Sequence, residues 1–260
     1  MMATLLLIDE GAGIFRLVFH RPEVKNAVDG EVVALLGQHL DTLEATPHLR
    51  GVVVTGSGGA FVSGGDIKQL LAHHDEASGR AFCGAMTRHL ARLEQLPVPV
   101  VAAIEGVALG GGLEITLACD LRIAAQGATL GFRQIRMGLT PGWGGATRLF
   151  QLVGKQRAMR LLWEGRDLTA EEALKEGLVD RVCERGEAEA SALALVRELS
   201  NRPPLAVAAV KQVLRTAAAT TPEVSSTFEA EHFLHLWASE DHTEAVHAFF
   251  QRRPPVWKGH

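Results

Sequence analysis

The chain has 260 residues, is 47% hydrophobic and 22% charged, and carries a formal net charge of -4. These values describe a globular chain long enough for one large domain or two small ones, and they argue against a dedicated nucleic-acid surface. Cys83, Cys119 and Cys183 are too widely spaced for a disulfide framework or a zinc pattern, no apolar run is long enough to span a membrane, and the start turns acidic at Asp9 and Glu10 too early for a signal peptide. A reducing cytoplasm is therefore the expected location, with no membrane partner.

Residues 5–8 and 14–19 flank Glu10-Gly11-Ala12-Gly13 and read as a hairpin that ends at Arg21-Pro22. Over 29–43, Val32, Val33, Leu35, Leu36, Leu40 and Leu43 recur at helical spacing, with Asp29 as N-cap. Residues 51–55 form an apolar strand, followed by the glycine-bearing loop 56–65 and the segment 66–71. A helix is predicted over 79–95 and an apolar strand over 98–104.

Next comes Val107-Ala108-Leu109-Gly110-Gly111-Gly112-Leu113-Glu114, leading into a short helix over 113–119 and a strand over 120–124. Three consecutive glycines let backbone pass close to a ligand, since no Cβ intervenes. A helix opening there points unpaired N–H groups and the positive end of its dipole outward, with the Glu114 carboxylate one turn in. That arrangement suits a developing negative charge, although a plain glycine turn with a surface Glu reads equally well from the stretch alone.

Up to about residue 125, strands alternate with helices through glycine-bearing loops, the pattern of α/β crossover units. Beyond Gly142 the signals are nearly all helical: 144–153, 155–163, 169–176, 187–200, 205–216, 222–239 and 243–251. Asn201-Arg202-Pro203-Pro204 is the clearest punctuation. It divides a mixed core, 1–200, from a C-terminal helical region, 201–260. Residues 222–257 carry Val224, Phe228, Phe233, Leu236, Trp237, Val246, Phe249 and Phe250, and are expected to be buried against the core and against other subunits.

Several motifs fail on inspection. Gly56-Ser57-Gly58 has Phe61 where a dinucleotide fingerprint needs Gly, and Gly106 to Gly111 has P-loop spacing but Gly112 in place of Lys. Ser63 lacks the glycine of a nucleophile elbow. His232 and His235 lie one helical turn apart without further ligands, so no metal is expected. His73-His74-Asp75 reads as a solvated helix end, and Arg80, Arg88 and Arg92 read as surface residues.

Five segments together resemble the crotonase superfamily, the enoyl-CoA hydratase/isomerase group. Residues 21–27, Arg-Pro-Glu-Val-Lys-Asn-Ala, are similar to its early CoA-contacting loop, and 60–68 to its first oxyanion loop. Residues 108–114 with Cys119-Asp120 resemble the second, 138–149 the active-site turn, and 239–258 the last helix and tail. The resemblance implies an α/β spiral of ββα units with a C-terminal helical region that packs as a trimer or a dimer of trimers. It implies an acyl-CoA thioester as ligand, with CoA part of the substrate and no separate cofactor.

By the same resemblance, Gly65 and Gly111 are the two oxyanion donors and Glu114 is one of two catalytic carboxylates. Lys25, Ala27, Asp66, Ile67 and Lys68 fall in the CoA-binding region, Pro141 and Gly142 in the active-site turn, and Phe249 and Lys258 where the tail reaches CoA, commonly on a neighbouring subunit. One position departs from the pattern: Gln134 stands where hydratases of this family carry the second Glu, and Arg133 where Pro is usual. No acidic residue lies between Asp120 and Glu164 to replace it, and an amide exchanges no proton.

Hydration of a 2-enoyl-CoA is the expected activity. Decarboxylation of a short alkylmalonyl-CoA, which Trp143 also resembles and for which Arg133 or Arg136 could meet a carboxylate, is the alternative on the same scaffold, as is double-bond isomerisation. A non-catalytic acyl-CoA binder or an RNA-binding relative is the alternative of another class. The net charge counts against RNA, and Glu114 with both glycine loops counts against mere binding.

Overall fold

The computed structural model describes residues 3–72 and 75–259, so the expectation for His73 and His74 lies outside the described residues. The chain begins with β1 (Leu5–Asp9) and β2 (Ile14–Phe19), then α1 (Gly30–Ala45), β3 (Gly51–Gly56), α2 (Ile67–Ala72) and α3 (Glu76–Gln95). It continues through β4 (Val100–Ile104), β5 (Val107–Leu109), α4 (Gly111–Leu117), β6 (Leu121–Ala125), β7 (Thr129–Gly131) and a 3-10 turn at Arg133–Met137. Then follow α5 (Gly145–Val153), α6 (Lys155–Glu164), β8 (Leu168–Thr169), α7 (Ala170–Glu176) and β9 (Arg181–Cys183). The last elements are α8 (Ala188–Ser200), α9 (Pro204–Ala219), α10 (Pro222–Trp237) and α11 (Glu240–Gln251).

The predicted hairpin forms with Leu5 opposite Phe19, and every further neighbour in the main sheet is parallel. The order is β1-β2-β3-β4-β6-β9, beside a smaller sheet, β5-β7-β8. Both faces of the main sheet are covered, which explains why its strands read as unbroken apolar runs. Val52, Val54, Val100, Ala102 and Ile104 face α1 and α3. Val53, Val101 and Ala103 face Ala188, Ala192 and Val196 of α8.

The repeating unit is a main-sheet strand, a short strand beside it, and a helix. β4, β5 and α4 make one such unit, and β3 makes another through the Val62–Ala108 bridge. β5, β7, β8 and β9 are two or three residues long, too short to show a period of two, and none was expected from sequence. Asp29 caps α1 as predicted, accepting from Val32 N at 3.0 Å. α3 starts three residues before the predicted position because Asp75 caps it through Ser78 N.

The C-terminal helices are tied to the core by polar contacts. Lys211 of α9 pairs with Asp120 at 2.7 Å and donates to the Val98 carbonyl, while Arg50 donates to the carbonyls of Ser200 and Arg202. α10 corrects one expectation, because it buries no residue within this chain. Phe233, Leu234 and Trp237 are each about 60% exposed, and Phe249 and Phe250 of α11 nearly 80%.

Candidate active site

The two glycine-bearing loops are joined backbone to backbone. Phe61 N and Val62 N donate to the Val107 carbonyl, and Leu109 N returns a bond to the Val62 carbonyl at 3.0 Å. The first loop is also fixed to the early loop: Ser63 N donates to Lys25 O, Val28 N to Gly64 O, and Asp66 N to Val28 O. α4 passes so close that a Cβ on Gly112 would lie 1.9 Å from the Val62 carbonyl, so only glycine fits there. Gly64 abuts Gly111, its Cβ position lying 3.5 Å from Gly111 N. Gly65 N and Gly111 N make no hydrogen bond among the described residues, so two free donors stand where the loops meet.

Glu114 lies one turn into α4 and is 2% exposed. It caps a different helix from its own. Its Oε2 accepts from Gly145 N, the first N–H of α5, at 2.9 Å and from Trp143 N, two residues before it, at 2.8 Å. Its Oε1 accepts from Gln134 Nε2 at 2.9 Å and, more weakly, from Gly142 N at 3.3 Å. Burial pushes the Glu114 carboxyl above the ordinary glutamate range, and the N–H groups of Gly145, Trp143 and Gly142 with the Gln134 amide pull it part of the way back.

The Trp143 ring lies over Gly111, where an added Cβ would fall 2.2 Å from it, and packs edge-on against Phe82 with centroids 5.8 Å apart. Cys83 borders Gly142, and burial together with the Glu114 charge pushes its thiol pKa up, which disfavours the thiolate. Gln134 stands beside Glu114, as a donor to it. Arg133 and Arg136 both pair with Asp167.

Of the residues expected at CoA, Asp66 pairs with Arg21, which also donates to the Ala27 carbonyl at 2.7 Å. Ala27 is buried, whereas Lys25, Ile67 and Lys68 are exposed at the same rim. Pro141 and Gly142 form the turn beneath Glu114 Oε1. Phe249 is exposed, and Lys258 pairs with Glu240 at 2.9 Å. Among the described residues, neither of these two makes a hydrogen bond or ion pair with the glycine loops.

Asn26 was missed. It is 1% exposed, and its amide donates to the carbonyls of Ser57, Ala60 and Phe61 while accepting from Arg21 N, which locks the early loop to the first glycine loop. A single Asn in a polar loop carries no periodic signal. Among the described residues no metal-binding cluster exists, and His232 stacks on Phe228 and contacts Gln212.

A ββα spiral with two free N–H donors at a loop junction beside a buried carboxylate defines a crotonase-type α/β scaffold. A family model for enoyl-CoA hydratase/isomerase matches residues 9–260. A probable enoyl-CoA hydratase of Bacillus subtilis is 33% identical, with all of both chains covered. A short-chain-enoyl-CoA hydratase of Clostridium acetobutylicum is 32% identical over 95% of each. The crystal structure of an enoyl-CoA hydratase from Bacillus anthracis superposes with a TM-score of 0.94 at 30% identity, over 99% of this chain and all of that one. The chain belongs to the enoyl-CoA hydratase/isomerase family.

Proposed function

We propose that the protein is an acyl-CoA lyase of the enoyl-CoA hydratase type, adding water to a 2-enoyl-CoA. The observation that carries this reading is the pair of free N–H groups, Gly65 and Gly111, where the two loops meet, with Gly111 one helical turn from Glu114. The thioester oxygen accepts from both as the enolate forms, and each donor of this kind is worth roughly 10²–10³ in rate. Glu114 Oε2 is anchored by two short bonds, while Oε1 holds one short and one long bond. Oε1 is therefore the oxygen that takes a proton from water as the hydroxyl adds to Cβ, a contribution of about 10²–10⁴. With no second carboxylate, Glu114 returns that proton to Cα, and Gln134 only orients the water.

Lys25, Ala27, Asp66, Ile67 and Lys68 border the CoA moiety, with Lys68 the exposed cation for its phosphates. The bare apolar faces of α10 and α11 support assembly as a trimer or dimer of trimers, in which Phe249 and Lys258 serve a neighbour's CoA. No helix of the described residues is long and apolar enough to cross a membrane. The three unpaired cysteines support a cytoplasmic location.

Decarboxylation of an alkylmalonyl-CoA is the second reading, favoured by Gln134, since it needs the oxyanion donors but no strong base. The bidentate pairing of Arg133 with Asp167 counts against it, because that guanidinium is already engaged by a carboxylate. Mass analysis of products from a panel of enoyl-CoA and alkylmalonyl-CoA esters separates the readings. Gain of one water supports hydration, and loss of carbon dioxide supports decarboxylation.

A further inference from the structure

The backbone that leads into α5 is held from two sides. The N–H groups of Trp143 and Gly145 both reach Glu114 Oε2. Between them, the Trp143 carbonyl accepts from Arg148 Nη1 at 2.9 Å. Gly144 lies between the two donors at φ +88°, where a side chain would be strained and a Cβ would lie 2.7 Å from Arg148 Nη1. Arg148 is itself held: its Nη2 and Nε donate to Glu94 Oε2 of α3 at 3.0 and 3.2 Å, and its side chain is only 11% exposed.

The geometry points to Arg148, held by Glu94, as a positioning residue that fixes the 143–144 peptide and thereby aims two backbone N–H groups at Glu114. The role rests on Glu114 being the proton-transferring group proposed above. Without the Arg148 bond, the middle peptide is free to rotate, and rotation carries both flanking N–H groups away from Oε2. A carboxylate that loses donors is less stable in its charged form, so Glu114 would ionise at higher pH. An ordinary inter-helix ion pair would instead contribute some stability and leave Glu114 untouched.

The other groups facing Glu114 do not titrate with it. Cys83 on α3 is held protonated by burial and by the Glu114 charge. Gln134 on the 3-10 turn is neutral, and Arg133 and Arg136 there are paired with Asp167.

The test is carboxyl 13C titration of glutamate-labelled protein without substrate, with Glu114→Gln identifying the resonance. Arg148→Met should move the Glu114 titration up by about 0.5–1 unit, the equivalent of one weakened hydrogen bond. Glu94→Gln should move it the same way by less, and Arg148→Lys should recover part of the loss. On a 2-enoyl-CoA, Arg148→Met should lower kcat about three- to tenfold with little change in KM. An unshifted Glu114 in folded Arg148→Met overturns the inference, and if that variant does not fold, an unshifted Glu114 in Glu94→Gln does so. A shifted Glu114 in a protein inactive on every acyl-CoA ester supports the positioning role and counts against the hydratase reading alone.

Discussion

Gln134 Nε2 donates to Glu114 Oε1 at 2.9 Å. Because an ionised carboxylate only accepts, this bond fixes which way the amide faces. The other end, Gln134 Oε1, is buried and has no partner among the described residues. An unpaired buried acceptor of this kind costs free energy, so the Gln134 amide is held here by its bond to Glu114.

Gln134→Glu should raise hydration of a short enoyl-CoA, because a nearly equal volume then carries an exchangeable proton. Two carboxyls in that contact share one proton and titrate as a pair, so the pH–rate profile should gain a second limb. Steady-state rates across pH check this. Wild-type turnover already typical of a fast hydratase, or no gain in the variant, refutes it.

Glu114→Gln should abolish most turnover and leave CoA-ester affinity nearly intact. It should also destabilise the fold by about 1–3 kcal/mol, since an amide nitrogen would face the N–H groups that cap α5. The pH dependence follows from the raised Glu114 carboxyl. Ionisation is easier in the unfolded chain, so this group's contribution to stability is fully present below the ordinary glutamate value and is lost as pH rises through the raised one. Activity runs oppositely, rising through that same raised value as the base forms. Denaturant titrations and kcat/KM profiles check both. Collapse of CoA affinity with normal residual turnover would leave Glu114 a capping residue only.

Gly111→Ala should cut turnover by about 10² or more, with the assembly intact. The added Cβ meets the Trp143 ring and must displace either that ring or the N–H donor. Trp143→Leu in the same chain should relieve the clash and recover part of the rate. Full activity in Gly111→Ala removes Gly111 from the mechanism.

Much of this arrangement was legible in the sequence, for local reasons. The hairpin, the Asp29 cap, the doubly buried strands and the glycine run all follow from spacing within a few residues. The glycines also marked where the two loops approach each other. What stayed hidden depends on chain distant in sequence. Asn26 works through carbonyls of Ser57, Ala60 and Phe61, and Glu114 caps a helix that begins at Gly145. β9 contributes three residues to the main sheet and can be placed only once β6 is there to pair with it. A bulky Trp143 among four glycines was a usable sign of a packed backbone contact.

The exposed faces of α10 and α11 should be covered by other copies of the chain. Light scattering at micromolar concentration should give a trimer or a multiple of it, and Trp237→Asp with Phe249→Asp should shift it toward the monomer. A wild-type monomer overturns the assembly.

The most direct test is the loss of conjugated enoyl-thioester absorbance when the wild-type protein meets a 2-enoyl-CoA, run beside Glu114→Gln. The account predicts a steady loss with wild type and almost none with the variant, while both bind the ester. Equal rates in the two proteins, or no loss with wild type across a series of enoyl-CoA chain lengths that it binds, would contradict it.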